Sequence, residues 1–498
     1  MVTRTWLTEK PSVAKALAEY FGVDKRFPGY YLLKNGDIVT HAIGHLVEQA
    51  EPDAYLPEAL KGKFFAKEAI PYLMVEDSKW IKRPKSERDE KGRIKLSRSG
   101  DPVPMPQLAI VTKLLKDAKI IVNAGDIDRE GQYLADELIE WAGINPDGSQ
   151  KPVERVLITS LDDKSLRRVI DAPRRSNGES EFVQGRFAGE CRAKADWMIG
   201  MAGSRSYSIS AKTVVPVGRV RTPVTRLVVK RTLDIQKFVK QDYYVPVITL
   251  ESGHELAWQS RKEGGSMLGI DAHGRIIDKQ VAEAILKNIL AAHVATTITR
   301  ATIEEKKQPP PLPFSGSALG SAVGKKHGMT AKQVAKAAQG LYEKHKAISY
   351  IGTDARHVPE SQHADSTDIL KNIAPILAGL TAKADLSQVS GCWNAQKLID
   401  QGSAHHAIIP TGNVPPKSAL TGDEAKVYDS ICRRYLSQFY PDYRYNSIQI
   451  EAEAGLDIFK SNTTETIDPG WHVSEGSKPE STDEGESIEK RNVVRMKQ

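Results

Sequence analysis

The sequence predicts a multidomain fold that combines α/β and α+β parts. Its 498 residues exceed what one hydrophobic core accommodates, since single cores stop growing near about 250–300 residues, and we expect roughly three to five compact units. The N-terminal part alternates buried-type strands with amphipathic helices, a pattern typical of an open α/β sheet. Between residues 232 and 298, strand-like runs alternate with turns, and paired helices follow a proline-rich segment at 308–314.

Composition restricts the class of protein. The chain has 70 Lys and Arg against 63 Asp and Glu, and the net charge of +7 suits a polyanionic partner without demanding one. Three cysteines are too few and too scattered for a disulfide framework or a thiolate zinc site. Residues 1–9 contain no apolar signal core and no run of eighteen apolar residues occurs, so we expect a cytoplasmic protein without a membrane partner.

The first strand-to-helix turn carries an acid and a base. Residues 12–21 read as a helix that Ser12 caps and Gly22 ends, and a short strand precedes this helix. Glu9 and Lys10 therefore lie in the turn between them. This is the crevice in which open α/β sheets bind ligands.

The second such turn is strongly acidic. Between a buried strand at 120–123 and the helix that follows it lie Asp126, Asp128 and Glu130. Like charges this close repel one another unless a cation lies among them, and oxygen ligands of this kind suit Mg²⁺, completed by water or phosphate oxygens. We favour metal binding over a polar helix cap. Lys10 would then serve as a point charge for phosphate rather than as a surface lysine.

A tyrosine, Tyr350, ends a short apolar run and precedes a polar turn. Taken alone, such a residue is most simply a half-buried packing residue. Two predicted helices, 317–327 and 330–344, lead the chain to it, and Thr330 with Gln333 forms a capping box at the start of the second helix.

Several motifs resemble a known family. The segments 9–12, 41–46 and 124–132 are similar to the nucleotidyl-transfer (Toprim) module of type IA DNA topoisomerases, nearest to the bacterial topoisomerase III branch. The acidic pattern alone would also fit primases and some nucleases. Segments 186–197 and 218–223 resolve this ambiguity, because they resemble the family's DNA-binding gate motifs.

The gate motifs are basic and predict phosphate positioning rather than base readout. The predicted basic surface consists of Arg186, Arg192, Lys194, Arg205, Arg219, Arg221 and Arg226. For any one of these residues, an ordinary solvated helix face is the alternative. The residues that the resemblance assigns to DNA are Arg192, Asp196, Arg219, Arg221, Thr222 and Arg356. The family usually has glutamine where this chain has Arg221.

The segment 403–411 is similar to another family motif, whose first histidine, here His405, approaches the scissile phosphate. His405 would donate a hydrogen bond to a phosphate oxygen or help to protonate a leaving oxygen. A packed loop histidine is the alternative.

The resemblance implies a toroid built from four parts. These are an N-terminal Toprim (Rossmann-like) domain, a helical gate domain, a β-rich arch and a helical domain with the nucleophilic tyrosine. The expected boundaries are 1–155 for the Toprim domain, 156–230 for the gate, 231–300 and 413–472 for the arch, 301–412 for the tyrosine domain and 473–498 for an acidic disordered tail.

The resemblance also implies ATP-independent breakage, passage and religation of single DNA strands, which relaxes negative supercoils or decatenates DNA. Tyr350 would attack a phosphodiester and store its energy as a 5′-phosphotyrosine. The implied catalytic residues are Tyr350, Glu9, Lys10 and His405, and the implied Mg²⁺ ligands are Glu9, Asp126, Asp128 and Glu130. Neither a nucleotide-binding P-loop nor a zinc motif occurs, so we expect no ATP and no zinc. The expected partners are single-stranded and negatively supercoiled DNA, bound by a monomer at the nucleoid.

Two further features depart from the family pattern. Ile351 and Gly352 follow the tyrosine, where the family has Pro-Arg or Met-Arg, and Arg356 matches a separate family position. Losing one preorganised cationic donor costs about 10²–10³ in rate, so we expect weak relaxation that Gly352→Arg improves. The sequence after Trp471 is short for the family, which predicts weaker single-strand binding and decatenation. A non-cleaving DNA-binding relative and a Toprim nuclease remain alternatives.

Overall fold

The computed structural model describes residues 3–97, 102–291, 294–377, 379–400, 405–477 and 492–496. The chain forms two compact units, and each is assembled from three separate segments. The first unit comprises Met1–Leu233, Pro313–Asn372 and Asn394–Ile431. The second comprises Asp234–Leu312, Ile373–Trp393 and Cys432–Gln498.

The elements alternate along the described residues. The strands are β1 (Arg4–Thr8), β2 (Val23–Phe27), β3 (Tyr30–Leu33), β4 (Ile38–His41), β5 (Val47–Gln49), β6 (Lys82–Pro84), β7 (Ile120–Ala124), β8 (Val153–Arg155), β9 (Arg175–Ser176), β10 (Tyr244–Thr249), β11 (Glu255–Arg261), β12 (Thr296–Gln308), β13 (Tyr443–Ala454), β14 (Asp457–Asp468) and β15 (Asn492–Met496). The α-helices are α1 (Pro11–Phe21), α2 (Pro106–Asp117), α3 (Arg129–Trp141), α4 (Asp163–Asp171), α5 (Ser180–Ala211), α6 (Arg221–Gln236), α7 (Lys279–Ala291), α8 (Gly316–His327), α9 (Ala331–Glu343), α10 (Ser366–Ile373), α11 (Ala395–Asp400), α12 (Gly422–Ser437) and α13 (His472–Glu475).

The first unit contains a seven-stranded sheet in the order β2-β3-β4-β1-β7-β8-β9. The central strands β4, β1, β7 and β8 run parallel. Thr8 is in register with Ala124, so β1 and β7 end side by side. The two turns that follow them, which carry Glu9 and Asp126, therefore open at one edge of the sheet, as the sequence predicts for a Rossmann-like domain.

A single apolar core supports this edge. Leu7 and Ile121 from the sheet pack with Leu115 of α2 and with Leu134 and Leu138 of α3, and all five side chains are buried. Burying a Leu or Ile side chain is worth about 1.5–3 kcal/mol. This core therefore holds β1, β7 and α3 in place on either side of the turn that carries Asp126.

The prediction that Ser12 caps the first helix is wrong. The helix α1 begins at Pro11, its N-cap is Lys10, and no side chain caps it. Proline fixes φ and has no N–H to satisfy, so it is suited to the first helical position. Ser12 Oγ instead donates a hydrogen bond to Glu343 Oε1 at 2.8 Å. The predicted end of the helix at Gly22 is confirmed, with φ at 83°.

The helices α8 and α9 precede Tyr350 in the chain. The predicted capping box is confirmed, since the Gln333 N–H donates to Thr330 Oγ1 at 3.3 Å and the Thr330 N–H donates to Gln333 Oε1 at 2.9 Å. An isolated bridge between Ile348 and Pro410 then joins the tyrosine segment to the segment that follows His405.

The gate segment is helical, as predicted, but its two helices differ in burial. In the 32-residue helix α5, Trp197 packs edge-on against Tyr55 and Trp80. In α6 no residue is buried, and Leu227 and Ile235 are among its exposed apolar side chains.

The second unit contains a six-stranded sheet in the order β12-β13-β14-β11-β10-β15. The helix α7 packs on it through Ile285 and Leu286, although this part of the sequence was predicted to contain only strands and turns. The predicted disordered tail also needs correction, because β15 pairs in parallel with β10. Val493 and Val494 give it the β-branched character that favours strands. The rest of the tail, 478–491 and 497–498, lies outside the described residues.

None of the helices in the described ranges combines the length and the apolar character needed to cross a bilayer.

Candidate active site

Lys10 connects the acidic turn to the tyrosine. Its Nζ forms an ion pair with Asp126 Oδ2 and donates a hydrogen bond to Tyr350 Oη at 3.1 Å. The same ammonium group lies 4.5 Å from the centroid of the Tyr350 ring. Burial disfavours the charge on Lys10, but its contacts with Asp126 and Tyr350 outweigh this cost and raise the pKa of Lys10. Lys10 is therefore a fixed cation beside the phenol oxygen.

Tyr350 is half-buried and held at both its backbone and its ring. Its N–H donates to the Thr159 carbonyl at 3.2 Å, and its ring centroid lies 4.4 Å from that of His405. Burial and the charge of Asp126 raise the pKa of Tyr350, and the hydrogen bond from Lys10 partly offsets this rise. Burial lowers the pKa of His405, so the imidazole is neutral at pH 7.

The position after Ile351 has no room for a side chain in this arrangement. A Cβ built on Gly352 would lie 2.7 Å from both Oη and Cε1 of Tyr350. Real Cβ atoms do not approach other heavy atoms so closely, so the tyrosine ring occupies the space that a side chain at 352 would need. The sequence comparison with the family pattern showed a missing arginine but not this contact.

Glu9 completes the acidic cluster. Its carboxylate accepts a hydrogen bond from the Asp126 backbone N–H, and Glu9 Oε1 lies 3.9 Å from Lys10 Nζ. Burial, together with the charges of Asp126 and Asp128, raises the pKa of Glu9 to about 7. Burial and the two neighbouring aspartates therefore disfavour a charged Glu9 more than Lys10 compensates.

This donor set suits Mg²⁺, although its side chains do not converge on one point. Within the described ranges, no three His, Cys, Asp or Glu side chains are placed to hold a metal ion together. Mg²⁺ needs only one or two carboxylates and completes its shell with water and phosphate oxygens. The mutual repulsion of Glu9, Asp126 and Asp128 is what a cation would relieve. Asp128 also caps α3, because Oδ1 accepts from the Gly131 N–H at 2.8 Å, so the predicted alternative of a helix cap holds for this residue.

Glu130 is paired with two basic residues, Arg192 and His45. Its Oε2 accepts from Arg192 Nη1 at 2.6 Å, and its Oε1 lies 3.2 Å from His45 Nε2. His45 Nδ1 lies 3.0 Å from Glu137 Oε2. Burial disfavours a charged His45, but Glu130 and Glu137 outweigh burial and raise the pKa of His45 to about 9.

Arg155, a buried residue that the sequence analysis did not single out, holds the acidic turn in place. Its Nη2 donates to the Asp126 carbonyl at 2.7 Å, and its Nη1 donates to the Gly125 carbonyl at 2.9 Å and to the Asn123 carbonyl at 3.2 Å. Its Nε donates to Gln132 Oε1 at 2.9 Å. No sequence signal identifies it, because a single arginine at the end of a short strand is usually exposed.

Two of the predicted DNA-contacting residues, Arg192 and Arg219, are paired with acids. Arg219 forms a two-point ion pair with Asp196, and the Thr222 hydroxyl accepts from the Gly218 N–H at 3.1 Å. Arg221 is exposed at the start of α6, whereas Arg356 is partly buried and donates from Nε to the Pro313 carbonyl at 3.0 Å.

The predicted basic surface is smaller than the sequence suggested. Arg205 does not belong to it, because it is buried with its guanidinium 5.4 Å from the centroid of the Phe64 ring. Arg186 pairs with Glu140, and Lys194 pairs with Asp77 at 2.7 Å. Glu140 and Asp77 are distant in sequence from their basic partners, so the local pattern did not show these pairs.

Comparisons with known proteins identify the family. Residues 4–161 match the family model described as Toprim domain, and residues 185–498 match the one described as DNA topoisomerase. DNA topoisomerase 3 of Vibrio cholerae is 34% identical over 493 residues, covering 96% of this chain and 71% of the relative. The Haemophilus influenzae protein of the same name is 32% identical over 492 residues, covering 94% and 70%.

A solved structure extends the likeness to the fold. Full-length topoisomerase I from Thermotoga maritima aligns with a TM-score of 0.59 at 19% identity, covering 96% of this chain and 68% of that one. With the two family models and the 34% identical relative, this shows that the chain belongs to the type IA DNA topoisomerase family and is similar to its DNA topoisomerase 3 members.

Proposed function

We propose that this protein breaks, passes and religates single DNA strands through a 5′-phosphotyrosine, with Mg²⁺ and without ATP. One observation carries the proposal. The Tyr350 oxygen lies 3.1 Å from the Lys10 ammonium, which also pairs with Asp126, and the His405 ring lies against the tyrosine. A lysine, an aspartate and a histidine that are distant from one another in the sequence thus lie together around the Tyr350 side chain.

The chemistry that fits this arrangement is attack of Tyr350 Oη on a DNA phosphorus. The Oη–P bond forms as the P–O3′ bond breaks, the phenol loses its proton, and the leaving 3′ oxygen gains one. Lys10 donates to Oη and stabilises the negative charge that develops as the phenol is deprotonated. His405, neutral at pH 7, donates an N–H to a phosphate oxygen. Religation is the reverse attack by the 3′ hydroxyl, and the stored phosphotyrosine bond supplies its energy.

Glu9, Asp126 and Asp128 would hold Mg²⁺, with Glu130 joining them only if it leaves Arg192. When bound, the ion offsets charge on the phosphate and helps to position it. Glu9 otherwise stays close to Lys10 and to the Asp126 backbone, so it orients the acidic turn toward the nucleophile.

Single-stranded and negatively supercoiled DNA is the substrate that we propose, since a tyrosine nucleophile reaches a strand that is already unpaired more easily than a paired one. The strand would run along α5 and α6, where Arg192, Arg219 and Arg221 contact its phosphates, and Arg356 would lie near the tyrosine end of this path. We further propose a cytoplasmic, nucleoid-associated monomer in which the tyrosine-bearing segment separates from the Toprim segment to let a strand pass.

Covalent capture tests the proposal. Single-stranded DNA labelled at the 5′ or the 3′ side is incubated with protein and Mg²⁺, denatured, and examined for protein-linked DNA. We expect linkage to the 5′ phosphate in the parent chain and none in Tyr350→Phe.

The remaining alternatives predict different products. A Toprim nuclease would leave free ends with no protein attached, and this outcome is disfavoured by the contact of Tyr350 with Lys10 and His405. A non-cleaving relative would bind the DNA and leave it intact. Intact binding without an adduct in the parent chain would refute the proposed cleavage.

A further inference from the structure

One ion pair joins two residues that the proposed function assigns to different ligands. Arg192 Nη1 lies 2.6 Å from Glu130 Oε2. Arg192 is expected to bind a DNA phosphate, and Glu130 is the fourth expected ligand of Mg²⁺. While the pair is closed, each residue neutralises the other, so binding an external ligand at either residue requires the pair to open.

The packing of two helices builds this pair. A Cβ on Gly189 would lie 2.6 Å from the Arg129 carbonyl oxygen and 2.7 Å from Tyr133 Cβ, so α5 lies this close to the first turn of α3 only with glycine there. Arg192 is three residues further along α5 and therefore on the same face. The close approach brings its guanidinium to Glu130.

Two further features allow the pair to open to external ligands while Glu130 keeps a second contact. The side chains of Arg192 and Glu130 are 44% and 39% exposed, so a phosphate and a hydrated ion have access to them. Glu130 Oε1 also lies 3.2 Å from His45 Nε2, and His45 is in turn held by Glu137. Glu130 therefore keeps its contact with His45 when Arg192 leaves.

We propose that the Arg192–Glu130 pair couples DNA binding to metal binding. A phosphate on Arg192 releases Glu130 toward the Mg²⁺ held by Glu9 and Asp126, and Mg²⁺ on Glu130 releases Arg192 for DNA. By linkage, each ligand must raise the affinity of the other by the same factor. The inference rests on the proposed function, and in it Arg192 and His45 are positioning residues for Glu130.

The test measures binding rather than turnover, in a Tyr350→Phe background that cannot cleave. The affinity for a fluorescent single-stranded oligonucleotide is measured with and without Mg²⁺ at constant ionic strength, and Mg²⁺ affinity is measured by calorimetry with and without the oligonucleotide. We expect each ligand to tighten the other by at least about fivefold. Glu130→Gln should tighten metal-free DNA binding, because Arg192 is freed, and should remove most of the coupling factor.

A double-mutant cycle distinguishes coupling through the Arg192–Glu130 pair from a general loss of structure in the variants. Arg192→Gln should lower the coupling factor as far as Glu130→Gln does, and the double variant should lower it no further. Glu140→Gln is the matched control, since Glu140 also lies on α3 and pairs with Arg186 on α5. It should tighten metal-free DNA binding and leave the coupling factor unchanged.

The outcomes distinguish this inference from the proposed function. If the parent binds both ligands but Glu130→Gln retains the full coupling factor, or Glu140→Gln loses it equally, the inference is overturned and the proposed function stands. If the parent binds no Mg²⁺ or no single-stranded DNA, both are overturned.

Discussion

At the scale of single residues, Gly352 determines how Tyr350 can be placed. The Tyr350 ring occupies the position that any side chain at 352 would enter, with a built Cβ 2.7 Å from Oη. The sequence-based expectation that Gly352→Arg improves relaxation considered only the added charge. The geometry adds an opposing effect, because the new Cβ must turn the ring away from Lys10.

Two substitutions at this position separate the steric effect from the charge. Gly352→Ala should slow adduct formation about 10- to 100-fold, the equivalent of losing one charge-assisted hydrogen bond of about 1.5–3 kcal/mol. Gly352→Arg should be faster than Gly352→Ala, since the guanidinium restores a phosphate donor. Single-turnover adduct formation measures both rates.

The control for this comparison is Gly412→Ala. A Cβ at Gly412 meets only Asn372 Nδ2 at 3.7 Å, which is ordinary contact, so we expect no change in rate. A Gly352→Ala protein as fast as the parent would show that the ring does not need its contact with Lys10.

At the scale of elements, the turn between β7 and α3 depends on a residue of β8. Arg155 donates to the carbonyls of Asn123, Gly125 and Asp126. Its planar guanidinium group therefore fixes the backbone of the turn that carries the acidic side chains. Lysine would keep the charge but could not reproduce this planar group, because its ammonium is a compact point charge.

Arg155→Lys should therefore lower both stability and activity. We expect a loss of about 3–5 kcal/mol in the free energy of unfolding, since buried carbonyls lose their donors, and a fall of more than tenfold in adduct formation. Urea unfolding followed by tryptophan fluorescence measures the first quantity. Arg174→Lys is the control, because Arg174 lies over Trp6 with a 3.8 Å contact to Glu154 and a long 3.5 Å hydrogen bond to the Val169 carbonyl, and it should cost about 1 kcal/mol or less.

The same region of the first unit contains a buried acid with a predictable pH response. Asp136 Oδ2 accepts from Gln132 Nε2 at 2.9 Å, and Oδ1 accepts from Asn177 Nδ2 at 2.9 Å. Burial outweighs these hydrogen bonds and raises the pKa of Asp136 to about 6. The folded state therefore holds this proton more tightly than the unfolded state does.

The sign of the effect follows from linkage. Between about pH 4 and pH 6 the unfolded chain releases the proton first, so the contribution of Asp136 to the free energy of unfolding falls as pH rises, by about 3 kcal/mol at most. Asp136→Asn should lack this slope. Urea unfolding of both proteins at several pH values measures the difference in their free energies of unfolding. The contributions of the other titrating groups are the same in both proteins and cancel in this difference. A difference that stays constant from pH 4 to pH 7 would contradict the raised pKa.

Sequence reasoning located elements well where the signal is local. The strands before Glu9 and Asp126 and the capping box at Thr330 depend on periodicity and on neighbours within a few residues. It failed where the partner is remote, because Arg155 and the Arg192 contact with Glu130 depend on how strands and helices pack. The strand β15 was missed for the same reason, since its pairing partner β10 lies more than 200 residues earlier.

At the scale of the whole molecule, the proposed strand passage requires the tyrosine-bearing segment to leave the Toprim segment and the helix α4 that follows it. Within the first unit, Asp365 joins the tyrosine-bearing segment to α4 through contacts with Lys164 at 3.0 Å and Arg168 at 2.5 Å. Asp368 adds a contact with Lys164 at 2.9 Å. Such a network holds the segments together more firmly than isolated exposed pairs, which are worth about 0–1 kcal/mol.

Weakening this network should therefore change passage but not cleavage. The Asp365 side chain is 19% exposed and contacts both cations, whereas Asp368 is 69% exposed and contacts one. If opening limits the rate, Asp365→Asn should accelerate relaxation of negatively supercoiled DNA by about 3- to 10-fold, equivalent to about 1 kcal/mol. Asp368→Asn should change it less than twofold. Cleavage of a short single-stranded oligonucleotide, which needs no opening, should be unchanged in both variants. Equal effects on cleavage and relaxation would mean that Asp365 acts on the active site rather than on the opening.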